Sequence, residues 1–351
     1  MTQFNPVEKN LFVALYGINV IKNSTLNKQF SVANVEKIIF ESGANIDGKL
    51  SDLGMRDIEI KLPREVGRKR YIAMLSESTA ATSIFPSQRY ASFFLSTCGE
   101  PDPLKALDPL INLFDPVKVE IRYFTSSAVE ELKESDEDLF WEKFDDQKIP
   151  FFYTLKSKQK DVKGIYCDLI SDRHDLLKVN QTKESPVEKN MLVSLYNVDL
   201  KVLKKLNNSK GIPLLESVIA ASNLKVSGRM SKEFDALDGS EIKGFSYVGQ
   251  LDNGSAAYHI TPESSYVSFF ISGSAKSIIF KSLNPLIKLF KPKKAEIRYF
   301  GSSQIDKIDD IPYKNSKLFW EELDKHELPS NYSVTNKEKL THELYFDLVK
   351  N

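Results

Sequence analysis

The sequence predicts an α+β protein: an internally duplicated four-layer αββα sandwich with mainly antiparallel sheets. Three observations carry this. Long stretches recur about 180 residues downstream. The short apolar segments are β-branched and aromatic and partly alternate, which suits strands half-buried on a sheet. Only a few segments have helical spacing, so each half reads as a sheet with helices on one face, and two such halves would pack sheet to sheet.

The repeat is direct. NPVEKNLFVALYGI, from Asn5 to Ile18, returns as SPVEKNMLVSLYNV, from Ser185 to Val198. DPLINLFDPVKVEIRYFTSS at Asp108 returns as NPLIKLFKPKKAEIRYFGSS at Asn284, LFWEKFD at Leu139 as LFWEELD at Leu318, and YCDLI at Tyr166 as YFDLV at Tyr345. The first repeat is placed at 1–171, a polar connection at 172–184, and the second repeat at 185–351. In copy one, RYIAMLSE, YASFFLSTC, VKVEIRYF and GIYCDLI read as strands. VANVEKIIFESG (Val32 to Gly43), PLKALDPLINLF (Pro103 to Phe114) and SAKSIIFKSLNPLIKLF (Ser274 to Phe290) read as helices, with Pro109 and Pro285 bending or breaking the last two.

Composition narrows the function. Apolar residues are 41% and charged residues 27% of the 351, which is ordinary for a folded globular chain. Lys plus Arg and Asp plus Glu are 48 each, so no net field favours nucleic acid or a membrane surface. No basic-then-apolar leader and no long apolar run occur, so a cytoplasmic protein is expected. The two cysteines, Cys98 and Cys167, form no C-x-x-C pair, and the four histidines are scattered, so no metal motif is expected.

One stretch is odd for its place. In YIAMLSESTAATSIF, an apolar strand runs into Ser76-Glu77-Ser78-Thr79 where a turn would usually recruit Gly, Pro or Asn. A solvated loop is the bland reading. Anchored on Phe93-Phe94 against Phe269-Phe270, and with Glu77-Ser78 set against Glu263-Ser264, copy one holds about ten extra residues here. Copy two alone has His259 and copy one alone has Cys98, so the copies differ where a single active site would make them differ.

LSES after a strand, STCGE downstream, GFS at Gly244 to Ser246 and HITPE at His259 to Glu263, followed by YVSF, together resemble the eukaryotic S-adenosylmethionine decarboxylase proenzyme family. The resemblance spans nearly the whole chain. It implies self-cleavage between Glu77 and Ser78, with Ser78 becoming a covalent pyruvoyl cofactor that serves as electron sink for the decarboxylation of S-adenosylmethionine. The product would be the aminopropyl donor for spermidine and spermine, and the two cleaved chains would stay associated. It further implies that Ser246 stabilises an oxyanion, that His259 removes a proton during processing, and that Cys98 reprotonates the substrate. Phe4, Ser76, Glu77 and Glu263 would contact substrate, Glu263 through the ribose hydroxyls and Phe4 by stacking on adenine near the sulfonium.

Each residue also has a plainer reading. His259 suits a satisfied core histidine and Cys98 a buried structural thiol; Glu8, in VEKN, resembles the second glutamate of the family's F-E-G-x-E-K signature and is a catalytic candidate, but Glu188 repeats it, so it equally suits a packing residue. The chain departs from the family at Asn5 and Pro6, where Glu and Gly are expected, and in an inserted loop between Ser78 and Cys98. The second adenine-stacking aromatic falls on Ser240 by counting, with Phe245 as a substitute. Phe12 and Phe270 stand where animal relatives place acids for putrescine, so weak or absent activation by putrescine is expected. Two alternatives stay open: a prozyme-like paralogue that regulates an active decarboxylase, and a hydrolase with Cys98 as nucleophile and His259 as base. Family members occur as monomers and dimers, so a homodimer is compatible with the sequence.

Overall fold

The structure, a computed structural model, describes residues 7–18, 31–51, 69–76, 78–98, 101–127, 149–161, 164–173, 186–235, 242–274, 277–303, 328–340 and 343–351. The chain divides into two units at residue 180, and each is built alike. Residues 174–184 of the connection placed at 172–184, Phe4, Glu77 and the repeated LFWE segments lie outside the described residues.

The first unit is an eight-stranded antiparallel sheet. Its strands are β1 (Val7–Tyr16), β2 (Ile46–Ser51), β3 (Lys69–Leu75), β4 (Thr79–Phe85), β5 (Tyr90–Cys98), β6 (Lys118–Ser127), β7 (Tyr153–Asp161) and β8 (Gly164–Ser171), in the order β2-β3-β4-β5-β1-β6-β8-β7. The second unit repeats it with β9 (Pro186–Tyr196), β10 (Val226–Phe234), β11 (Gly244–Leu251), β12 (Gly254–Thr261), β13 (Tyr266–Ser274), β14 (Lys294–Ser303), β15 (Tyr332–Leu340) and β16 (Glu343–Lys350), in the order β10-β11-β12-β13-β9-β14-β16-β15. Even the irregularities recur: β2 slips register at Ile46/Gly48, and β10 slips at Val226/Gly228.

Alternation gives each sheet two chemically distinct faces. In β1, Leu11, Val13 and Leu15 enter an apolar core with α1 (Val32–Glu41) and α2 (Leu107–Phe114), while Glu8, Asn10, Phe12 and Ala14 point to the other face. In β9, Met191, Val193 and Leu195 do the same with α3 (Leu200–Leu206), α4 (Ile212–Ala220) and α5 (Leu283–Phe290). Burying each such Leu, Ile or Phe contributes roughly 1.5–3 kcal/mol, so the helix-facing sides drive the folding of both units.

The two later helical segments are each divided, but the boundary falls two residues before Pro109 and Pro285, and the prolines do not break the α-helices that contain them. Pro103–Ala106 is a 3-10 turn before α2, and Ile279–Ser282 is one before α5. Pro109 and Pro285 then fall in the first turn of the α-helix, where a missing N–H costs no helical hydrogen bond. Ser274 ends strand β13 and does not begin a helix.

The extra residues inferred around Ser78 are not there. Asn10 and Thr79 both lie opposite Ser96, and Asn190 and Ser255 both lie opposite Ser272. Thr79 and Ser255 are therefore equivalent, and so are Ser78 and Gly254 just before them. The β3–β4 hairpin of copy one, closed by Leu75 N–H donating to Ser78 O at 2.9 Å, matches the β11–β12 hairpin, whose turn is Asp252-Asn253. The Glu263-Ser264 pair belongs to the next turn, Pro262–Ser264, whose true counterpart is Pro86–Gln88. A shared Glu-Ser dipeptide had matched the wrong turns.

Candidate functional site

Ser78 stands at the end of the sheet, buried, where β3 turns into β4. Its Oγ donates to Glu8 Oε1 at 3.4 Å, and Ser96 Oγ donates to the same oxygen at 2.6 Å. The backbone explains the convergence: Glu8 pairs with Cys98 across β1–β5, and Ser96 lies two residues from Cys98 on the same face. Cys98 thus shares the polar face with Glu8, Ser96 and Asn10. Asn10 Nδ2 donates to Ser126 Oγ at 3.5 Å. A buried carboxylate accepting from a serine hydroxyl can take its proton, which makes the hydroxyl a nucleophile.

Copy two keeps this frame without the serine. Glu188 pairs with Ser274 and Ser302, the positions of Cys98 and Ser126, but Gly254 replaces Ser78. A Cβ at Gly254 would collide with the carbonyl of Ser272, so the second copy excludes a side chain at this position. The glutamate recurs at the same place in both copies, and only in copy one does a serine hydroxyl from this hairpin reach it. Ser76 is exposed, and its Oγ donates to Asp47 Oδ1 at 3.4 Å.

The second unit holds its own constellation. Ser246 and His259 are directly opposed across β11–β12, and Ser246 Oγ lies 2.9 Å from His259 Nδ1. Phe234, at the end of β10, stacks on the imidazole with ring centroids 4.9 Å apart and planes at 7°. Gly244, opposite Phe234, is what permits this: a Cβ there would run into the phenyl ring. Burial lowers the pKa of His259 to about 4, so the ring is neutral at pH 7. Phe245, the expected substitute aromatic, instead points into the helix-side core, and Phe234 is the ring on the His259 face. Glu263 sits in the 3-10 turn that follows β12, four residues beyond His259.

Cys167 contrasts with Cys98. It lies in the apolar core, and burial pushes its thiol far above the ordinary value, so it has no thiolate character.

Each polar face also carries a cation–acid network. In copy one Lys118 Nζ meets Glu120 at 2.8 Å and Asp168 at 3.7 Å, Tyr16 donates to Glu120 at 2.9 Å, and the Arg122 guanidinium lies over the Tyr166 ring. In copy two Lys294 meets Glu296 at 3.2 Å and Asp347 at 3.5 Å, Tyr196 donates to Glu296 at 2.7 Å, and Arg298 pairs with Glu343 at 2.7 Å. Burial alone would lower Lys118, but Glu120 and Asp168 carry it above its usual value; burial first, then Glu120, raises Asp168.

Among the described residues no helix is long and apolar enough to cross a membrane. No family model and no curated protein matches the chain. Among solved structures the chain is similar to the crystal structure of the Trypanosoma brucei AdoMetDC-delta26 monomer, at 13% identity and a TM-score of 0.45, over 74% of this chain and 96% of that one.

Proposed function

We propose that this chain is a self-processing S-adenosylmethionine decarboxylase that cuts itself between Glu77 and Ser78. The observation that carries the reading is the one-sided change in a duplicated frame: Ser78 faces the Glu8 carboxylate where copy two has Gly254. Glu8 takes the hydroxyl proton as Ser78 Oγ attacks the carbonyl carbon of residue 77. The amide nitrogen leaves protonated as the amine of Ser78, and an ester joins residues 77 and 78.

Elimination then requires a base at the α-carbon of Ser78, and we assign it to His259. The neutral ring fits that role. For Nε2 to accept the proton, Nδ1 must carry the hydrogen and donate to Ser246 Oγ, which the 2.9 Å contact allows. Ser246 is assigned the oxyanion of the acyl shift. The pyruvoyl group derived from Ser78 would supply an electron sink for loss of the substrate carboxylate. Cys98 is assigned the return of a proton to the substrate α-carbon, and Phe4, Ser76, Glu77 and Glu263 the binding of S-adenosylmethionine.

A second reading, a prozyme-like regulatory paralogue, draws on two observations: the Ser78–Glu8 contact is long for activation, and Phe234 covers one face of His259. Intact mass of the purified protein separates the two. Two chains dividing after Glu77, the larger beginning with a pyruvoyl group, support the enzyme; a single 351-residue chain supports the paralogue.

A further inference from the structure

In the second unit an unbroken run of hydrogen bonds leads from the Pro262–Ser264 turn to the charged cluster around Lys294. Ser264 Oγ donates to Thr261 Oγ1 at 2.9 Å, and Thr261 Oγ1 donates to the carbonyl oxygen of Tyr266 at 3.2 Å. The Tyr266 hydroxyl donates to Ser194 Oγ at 3.2 Å, and Ser194 hydrogen-bonds the Tyr196 hydroxyl, which donates to Glu296 Oε2 at 2.7 Å. Lys294 closes the run on Glu296 at 3.2 Å. Thr261, Tyr266, Ser194, Tyr196 and Glu296 are all buried, which strengthens each link.

The first unit keeps the frame and lacks the links. Tyr16 and Tyr90 stand ring to ring at 5.4 Å as Tyr196 and Tyr266 do, and Tyr16 donates to Glu120, which pairs with Lys118. Ala14 lies opposite Glu120 as Ser194 lies opposite Glu296, so Ala14 is the counterpart of Ser194. Phe85, opposite Tyr90, is likewise the counterpart of Thr261, opposite Tyr266, and Gln88 that of Ser264 in the turn that follows. Three hydroxyls are thus absent from copy one, whose turn is tied down by Arg89 donating to the carbonyls of Gly17 and Ile18 at 3.0 and 3.1 Å. The turn forms without the hydroxyls, so the needs of the fold do not account for them.

What they hold in place is the turn that carries Glu263. We propose that Ser194, Tyr196 and Tyr266 are positioning residues for S-adenosylmethionine, tying the turn that bears Glu263 to the Lys294–Glu296 ion pair and so fixing the carboxylate that receives the substrate. The inference rests on the reading of Glu263 given above. A carboxylate on an untethered turn must give up freedom when substrate arrives, and a turn anchored to a buried ion pair has given it up beforehand. The three residues act through Glu263, so the effect falls on binding and not on the chemical step.

The test is the initial rate of carbon dioxide release by the full-length matured protein across S-adenosylmethionine concentrations. Ser194→Ala installs the residue of copy one, and Tyr196→Phe removes the link to Glu296. Each is expected to cut as the parent does and to raise KM about tenfold with kcat unchanged. Ser194→Thr, which keeps a hydroxyl, is expected to stay within about twofold of the parent KM, and Tyr16→Phe, the same change in copy one, to leave KM unchanged. Should one variant fail to fold, the other carries the test. A parental KM in folded Ser194→Ala or Tyr196→Phe, a loss confined to kcat, or an equal rise in KM with Tyr16→Phe overturns the positioning role and leaves the decarboxylase reading standing. A parent protein that releases no carbon dioxide from S-adenosylmethionine overturns that reading, and this inference with it.

Discussion

Ser78 and Gly254 occupy the same place in two copies of one hairpin, and only the first carries a hydroxyl within 3.4 Å of a buried glutamate. The steric record is asymmetric too, since Gly254 has no room for a Cβ against Ser272. Chemistry and packing therefore diverged at one turn while sixteen strands kept their order.

Ser78→Gly places the residue of copy two in copy one. The variant is expected to fold with stability within about 1 kcal/mol of the parent and to remain one uncut chain. Denaturant unfolding and intact mass check both parts, and a cut Ser78→Gly chain would remove Ser78 as the nucleophile.

Glu8→Gln keeps the shape of the side chain but not its basicity. It is expected to slow chain cleavage by about 10²–10⁴, whereas Glu188→Gln, at the repeated position where Gly254 replaces Ser78, leaves the rate unchanged. Equal effects from the two would reduce Glu8 to framework.

His259 makes stability depend on pH. Its folded pKa of about 4 lies below the ordinary 6.5, so the unfolded chain binds the extra proton between those values. Stability is complete above pH 6.5 and falls as pH drops toward 4, by on the order of 3 kcal/mol. Urea midpoints across this range should show the loss, and His259→Gln should flatten its share of the slope.

Phe234→Ala uncovers the imidazole. The substitution is expected to cost about 1–3 kcal/mol, because the ring is only partly buried, and to bring the His259 pKa back toward 6.5. Gly244→Ala should be damaging in the parent and nearly harmless in the Phe234→Ala background, since its clash is with that ring. Additive effects in this cycle would show that the clash lies elsewhere.

Putrescine is expected to change neither the melting temperature nor the rate of chain cleavage. Glu120, Asp168, Glu296, Asp347 and Glu343 already meet Lys118, Lys294 or Arg298 on their own sheets. A charged diamine would have to break pairs whose loss costs roughly 3–5 kcal/mol each. A saturable rise in melting temperature with putrescine would contradict this.

The strands were legible because alternation and β-branching are local: YASFFLSTC begins and ends where β5 does. The helices were legible too, although the 3-10 turns give way to α-helix two residues before Pro109 and Pro285, which sit in the first α-helical turn where their missing N–H is tolerated. The Ser78 turn was misaligned because equivalence between hairpins is set by pairing register, and a shared dipeptide carries none of that information. Phe234 was missed for the same reason. It meets His259 from two strands away, across a glycine that looks like any other in sequence. The approach of Ser78 and Ser96 to Glu8 likewise joins residues 70 and 88 positions apart.

A hairpin turn adds little to the apolar face that holds its sheet together, so it can be rewritten at small energetic risk. Here the strands on either side of the turn kept every partner while Asp-Asn-Gly in one copy corresponds to Ser-Glu-Ser in the other. Such a turn is a site of low evolutionary resistance, where natural selection can try out new reactivity in one half of a doubled gene while the other half preserves the original scaffold.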